Sequence, residues 1–222
     1  DWASACRYYD EIWCPSRFVA DAIAQKAPLP VVVMPHSVAP KPLEKDWRSH
    51  FKLPRKRVIF LFTFDFNSYL ARKNPTGVVE AFRRAFPEDH NAALVLKHHG
   101  KDLHPVDYRM LQDAIGGMAH VYEIDTSLSR EALTGLQSAC DVFVSLHRSE
   151  GFGLNLAECM ALGKPVIATD WSGSAEFLDA GNGCPVRYEL VRLEKSHGPY
   201  ESGQYWAEPD LDDAAEAMRR LA

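Results

Sequence analysis

The chain has 222 residues, 46% apolar and 25% charged, a balance that supports a folded core and excludes a disordered polypeptide. A net charge of −5 argues against a nucleic-acid role driven by overall charge, and leaves a local basic patch as the form an anion site would take. No run approaches the ~20 apolar residues of a membrane span, and the opening "DWASACRYYDE" lacks the pattern of a signal peptide.

In chain order, "EIWC" (11–14) reads as a strand, and "SRFVADAIAQ" (16–25) as a helix with Ser16 at its N-cap. "VVVM" (31–34) is a second strand, followed by a seam rich in proline and charge at 35–57. "RVIFLFTF" (57–64) is the next strand, and "NPTGVVEAFRRAF" (74–86) a helix with Asn74 as cap and Pro75 in its first turn. Strand "AALVLK" (92–97), helix "YRMLQDAIG" (108–116) and strand "HVYEI" (120–124) follow. Helix "SREALTGLQSA" (129–139) starts at Ser129 and leads to strand "VFVSL" (142–146). Helix "LNLAECMALG" (154–163) closes on Gly163 before strand "PVIAT" (165–169). Glu176 and Asp179 fall on an expected helix after "WSGSA". Residues 189–210 read as an irregular, aromatic excursion, and the final "EPDLDDAAEAMRRLA" as a helix with an acidic start and a basic end.

Continuous Val/Ile/Leu runs alternating with helices predict an α/β fold, a Rossmann-like doubly wound parallel sheet buried on both faces. The single strand–helix unit ahead of the seam reads as the tail of a preceding domain. Five cysteines show no CxxC spacing and read as small buried residues of a reducing cytoplasm. Nine histidines show no HExxH pattern, so no metal is expected.

The densest chemistry lies in "SEGFGLNLAECMALGKPVIATD", 149–170. "HRSEGFG" joins a strand to a helix at the carboxyl edge of the sheet, where ligands of such folds bind. Gly151 and Gly153 let a ligand approach the backbone, and the free N–H groups of Leu154 and Asn155 at a helix start suit phosphate. Glu158, about one turn into that helix, and Glu150, on the loop, are acceptors for paired sugar hydroxyls. Together these parts suit ribose, diphosphate and hexose in one molecule, a nucleotide sugar. Each glutamate also reads as plain surface charge when taken alone.

The stretch "EGFGLNLAECMALGKPVIATDWSGSAEFL" resembles the signature of the retaining glycosyltransferases of family 4, the glycosyl transferases group 1, which have the GT-B fold. The likeness runs through residues 150–154, Glu158, Met160, Ala161 and 163–168, then Gly173 and Glu176. "DEIWCPSRFVADAI…VVVMPHSV" resembles the end of the family's N-terminal, acceptor-binding domain and its linker. The implied boundaries are 1–36 for that tail and linker strand, and 37–222 for a nucleotide-sugar-binding C-terminal domain including the final helix.

The resemblance implies roles. Glu158 accepts hydrogen bonds from the ribose, while Glu150 contacts the transferred sugar and stabilises positive charge at its anomeric carbon. The backbone of Gly151, Phe152, Gly153, Leu154 and Asn155 meets sugar hydroxyls and diphosphate. Lys73 and Arg72, in "ARKNP", balance the leaving diphosphate, and Ile124 and Asp125 meet the nucleobase. Two departures stand out. "FTFDFNSYLARKNP" lacks the family's Gly-Arg after the strand, so Arg72 stands in or the basic role falls elsewhere. "LKHHGKD" puts Lys97, His98 and His99 where the family has small residues.

The implied activity is retaining, metal-independent transfer of a hexose from a GDP-mannose or UDP-hexose type of donor to a glycan or lipid-linked acceptor. No cofactor is implied beyond the donor substrate. The acceptor is implied to reach the site through an N-terminal domain absent from this chain, which leaves the chain inactive alone. A cytoplasmic place is implied, with peripheral membrane association of the full-length enzyme at the inner face left open; no nucleic acid is expected. The departures keep open a non-catalytic nucleotide-sugar-binding or interaction module. A dinucleotide oxidoreductase fails, because no GxGxxG with a downstream acid follows an early strand.

Overall fold

The computed structural model describes residues 2–41, 43–88 and 91–222. Two short strands, β1 (Ile12–Cys14) and β2 (Val31–Val33), pair in parallel around α1 (Arg17–Ala24). Ser16 caps α1 as expected, its side chain accepting from the Val19 N–H. After the seam, α2 (Trp47–His50) starts on Asp46, which accepts from the Ser49 N–H.

The main sheet has six parallel strands: β3 (Val58–Thr63), β4 (Ala92–His98), β5 (Val121–Asp125), β6 (Val142–Ser145), β7 (Val166–Thr169) and β8 (Cys184–Val186). Their order is β5-β4-β3-β6-β7-β8. The chain starts in the middle, runs outward to β5, then returns to β6 beside β3. Direction reverses between β3 and β6, and that crevice is the place where doubly wound sheets hold ligands.

The crossovers are α3 (Leu70–Lys73) with α4 (Pro75–Ala85), α5 (Pro105–Ile115), α6 (Arg130–Ala139) and α7 (Leu154–Ala161). The unbroken apolar run of β3 feeds both faces by its two-residue period. Phe60 and Phe62 pack with Val78 and Phe82 of α4, while Ile59 and Leu61 pack with Leu136 of α6 and Leu156 of α7. Each of these buried side chains contributes roughly 1.5–3 kcal/mol of transfer free energy. These packed strands hold the loops at their carboxyl ends in fixed positions.

The expected α/β class and most element positions agree with the structure. Asn74 and Ser129 cap their helices, and Gly163 takes the left-handed conformation (φ 72°) just past α7. Three expectations are corrected. The helix after "WSGSA" is only a short 3-10 turn, Ser172–Glu176, because the Glu176 carboxylate turns to accept from the Arg17 and Phe18 N–H groups of α1. Asp179 lies beyond that turn and accepts from the Gly181 N–H. The excursion 189–210 contains an antiparallel hairpin, β9 (Tyr188–Arg192) with β10 (Tyr205–Pro209), ahead of α8 (Leu211–Leu221).

Candidate functional site

The site is assembled where β3 and β6 part. Arg72 and Lys73 end α3, and Asn74, in the left-handed region (φ 56°), ends that helix and starts α4. Its Oδ1 accepts from the Gly77 N–H at 3.1 Å while its Nδ2 donates to the Leu146 carbonyl at 2.9 Å. One buried side chain thus joins the loop after β3 to the loop after β6. The Arg148 N–H adds a second tie, donating to the Arg72 carbonyl at 2.8 Å.

These ties bring three expected residues together across 77 positions of chain. Lys73 Nζ donates to Glu150 Oε1, and Arg72 Nη1 lies 3.4 Å from Oε2 while donating to the Ser149 carbonyl at 3.0 Å. Burial pushes the Glu150 pKa up, but Lys73 and Arg72 outweigh it and hold the carboxyl below its ordinary value. Glu150 is a carboxylate at neutral pH.

The glycine loop is held from behind. The Glu150 N–H donates to Ser172 Oγ (2.8 Å), its carbonyl accepts from the Gly173 N–H (2.9 Å), and Ser16 Oγ donates to the Gly151 carbonyl (2.6 Å). Gly173 must be glycine, since a Cβ there would lie 2.1 Å from the Gly151 carbonyl oxygen. Phe152 packs its ring edge-on against His36 and tilted against Phe177. Gly153 (φ 92°) leads into α7 with no side-chain cap, and Leu154 is exposed at that helix start. Beneath the loop, His147 is fully buried, with Nδ1 3.1 Å from Ser145 Oγ and Nε2 3.1 Å from Ser174 Oγ. Burial pushes its pKa down to about 4.

A cleft of about 290 Å³ opens beside this cluster, lined by Thr63, Asp65, Lys73, Lys97, His99 and Asn155 among others. Lys73 and Asn155 therefore share one cavity. Glu158 sits behind it and is 1% exposed: Oε2 accepts from Gln137 Nε2 at 3.0 Å and Oε1 from Arg130. The same Gln137 Nε2 lies 3.3 Å from Asn155 Oδ1, so the buried glutamate is linked to the cleft wall. Ile124 and Asp125 end the edge strand β5 and are not among the lining residues. Asp125 is engaged by Lys101 at 2.8 Å and by His98 Nδ1 at 3.3 Å. His98 is fully buried, with Nε2 3.0 Å from Glu123, whereas its neighbour His99 faces the cleft. A larger cleft, about 400 Å³ along β9 and β10, contains none of the expected site residues.

Sequence reasoning missed His147, Arg148 and the two serines 172 and 174. Arg148 Nε and Nη2 donate to Glu208 at 2.6 and 2.8 Å, and its Nη1 donates to the Ala71 carbonyl at 2.5 Å. It thereby binds β10 to helix α3, which carries Arg72. No sequence signal marks that pairing, because Glu208 lies 60 residues away. Among the described residues, no group of three or more His, Cys, Asp or Glu side chains is placed to hold a metal, and no helix is long and apolar enough to cross a membrane.

Comparison with known proteins gives a consistent picture. The family model of the glycosyl transferases group 1 matches residues 44–186. No curated protein matches the chain. Among solved structures, sucrose-phosphate synthase from Thermosynechococcus elongatus is similar at TM-score 0.70 and 21% identity, over 96% of this chain and 49% of that one. A UDP-forming α,α-trehalose-phosphate synthase from Burkholderia xenovorans gives 0.68 and 17%, over 99% and 54%. HepE of Anabaena, solved in complex with UDP and glucose, gives 0.67 and 18%, over 82% and 51%. The chain spans about half the length of each, and at these identities the likeness is one of fold.

Proposed function

The chain belongs to the glycosyl transferases group 1, and on that premise we propose that it is the donor-binding half of a retaining, metal-independent glycosyltransferase. Its donor is a nucleoside diphosphate hexose and its acceptor a hydroxyl of a glycan or lipid-linked saccharide. One observation carries the reading: Lys73, Arg72 and Glu150 converge at the switch point of the sheet, beside a cleft that Lys73 shares with Asn155.

Without donor, the two cations are shared with one carboxylate. An entering diphosphate competes for Lys73 and Arg72 and draws their charge away from Glu150. Glu150 is then left facing the hexose, where it stabilises positive charge at the anomeric carbon. The C1–O bond breaks with its electron pair leaving on the diphosphate. The acceptor oxygen forms the new C1–O bond from the same face, and its proton passes to the departing phosphate oxygen. Stereochemistry is retained, and the cations do the work that a metal does in other transferases.

Glu158 is assigned to the ribose hydroxyls, with the largely exposed Arg130 side chain yielding its place when the nucleoside enters. Backbone groups of residues 151–155 are assigned to the sugar and phosphates, and Ile124 and Asp125, though they do not line the cleft, to the base. UDP is the first nucleotide to test, given the UDP-forming synthase and the UDP complex above. An acceptor half is supported by β1 and β2, since a two-stranded parallel sheet needs further strands to be stable. The reading carries a cytoplasmic place with it, and association of the full-length enzyme with the inner face of the membrane stays open.

The test is a thermal-shift series with UDP, GDP and ADP, followed by transfer from the matching nucleotide sugar by the full-length protein. One nucleotide should raise the melting temperature, and its sugar should be transferred with retention. No shift with any of the three sinks the donor reading. A shift without transfer, to any acceptor offered, favours the binding-module alternative.

A further inference from the structure

Thr63 and Lys97 stand side by side in register at the carboxyl ends of β3 and β4. They are 7% and 8% exposed, so both are more than nine-tenths buried, and both line the cleft that holds Lys73 and Asn155. Among the described residues Lys97 makes no salt bridge, and its ammonium has one hydrogen-bonding neighbour, His99 Nδ1 at 3.5 Å. His99 Nε2 in turn lies 3.3 Å from Asp65 Oδ2. That contact directs an Nε2–H toward Asp65 and leaves the Nδ1 lone pair for Lys97. Among the described residues no partner serves the other two ammonium protons, and the hydroxyl of Thr63, its in-register neighbour, has no hydrogen-bond partner.

A buried cation with no carboxylate in direct contact is costly, and the cost is relieved when an anion enters. Burial holds the Lys97 pKa below the ordinary lysine value, while Asp65 and Asp125 pull it back upward. The Oδ1 of Asp65 accepts from both the N–H and the Nδ2 of Asn67 at 2.9 Å; these donors are neutral, so Asp65 keeps its charge but is held away from direct contact with Lys97. Across the cleft, Lys73 and Arg72 share the single charge of Glu150. Lys73, Arg72 and Lys97 against the carboxylates of Glu150 and Asp65 leave the cleft with an excess of one positive charge, and the uncapped start of α7 adds a partial one. The ligand suited to this set is a compact polyanion with several acceptor oxygens.

We propose that Lys97, with the Thr63 hydroxyl beside it, binds the donor's diphosphate opposite Lys73 and carries part of the charge that develops on the leaving group. The assignment rests on the nucleotide-sugar reading above. A lysine suits it as a compact point charge with three donors.

The experiment is calorimetry on the full-length protein, with UDP, GDP and ADP and the corresponding nucleosides as probes. Lys97→Met keeps the apolar stem and removes the charge. It should weaken the preferred nucleoside diphosphate by about tenfold or more, as expected for a lost charge-assisted contact. Nucleoside affinity should stay unchanged, and Lys97→Arg should keep most of the diphosphate affinity. Lys97→Gln gives the same readout where the thioether packs badly. Unchanged diphosphate affinity, or equal loss for diphosphate and nucleoside, overturns the assignment while leaving the donor reading in place. A wild-type protein that binds none of the three diphosphates overturns both.

Discussion

Glu150 and His147 lie in one crowded patch, and burial pushes both toward neutrality. For Glu150, Lys73 and Arg72 outweigh burial, so the carboxylate keeps its charge. For His147 nothing outweighs it, and the ring stays neutral down to about pH 4. An unfolded histidine titrates at about 6.5, so between that value and about 4 the unfolded chain binds a proton that the native state refuses. Stability therefore falls as pH falls through this window, by about 3 kcal/mol in total. Urea unfolding from pH 7 down to 4 should show that slope in the wild type and a flatter one in His147→Gln. Equal slopes would mean that the ring is not buried in its neutral form. Glu150 acts in a separate window, because its depressed pKa keeps its contribution until the pH drops below the ordinary carboxylate range.

At the scale of elements, strands β3 to β7 were legible because apolar runs are needed where a sheet is buried, while β8 (Cys184–Val186) carries no such run and was not expected. Phe60 and Phe62 serve one face, and Ile59 and Leu61 the other. The helix caps at Ser16, Asn74 and Ser129 were legible because their side chains act on the next three residues. The Glu150–Lys73 meeting was legible only as two motifs, and the distance between them came from the fold. The hairpin of β9 and β10 was not legible at all. Its strands are short, charged and separated by an irregular tip, and what fixes it is Arg148 reaching Glu208 from another loop. At that tip Gly198 (φ 58°) packs against Tyr69, and a Cβ there would lie 1.9 Å from the ring. Tyr69 also meets Tyr200, with ring centroids 6.0 Å apart. Gly198→Ala should combine overpacking with left-handed strain and cost about 2–4 kcal/mol. Limited proteolysis should then cut the 193–204 segment faster than in the wild type. Unaltered cleavage would show that the tip is not held by this contact.

At the scale of the whole molecule, the six-stranded sheet covers its faces with helices, while the small β1–β2 sheet does not cover its own. Tyr8, Tyr9 and Trp13 are 71%, 66% and 62% exposed, and Met34 is 45% exposed. Single exposed aromatics are ordinary, but this group lies on and beside one parallel strand pair that, among the described residues, pairs with no third strand. The main body is not the missing cover, because α1 already meets it through Ser16 on Gly151, Glu176 on the helix start and Phe18 on Trp171. On the reading proposed above, a second α/β sheet continuing β1 and β2 would supply both the strand edge and the apolar cover. The 222-residue chain on its own should therefore bind the apolar dye ANS. Tyr9→Ser combined with Trp13→Ser should reduce the fluorescence by about half or more, since these rings supply much of the exposed apolar area. The full-length protein should bind little dye at all. Equal dye binding by the wild-type chain and the double variant would place the apolar surface elsewhere and remove the main physical support for a docked acceptor half.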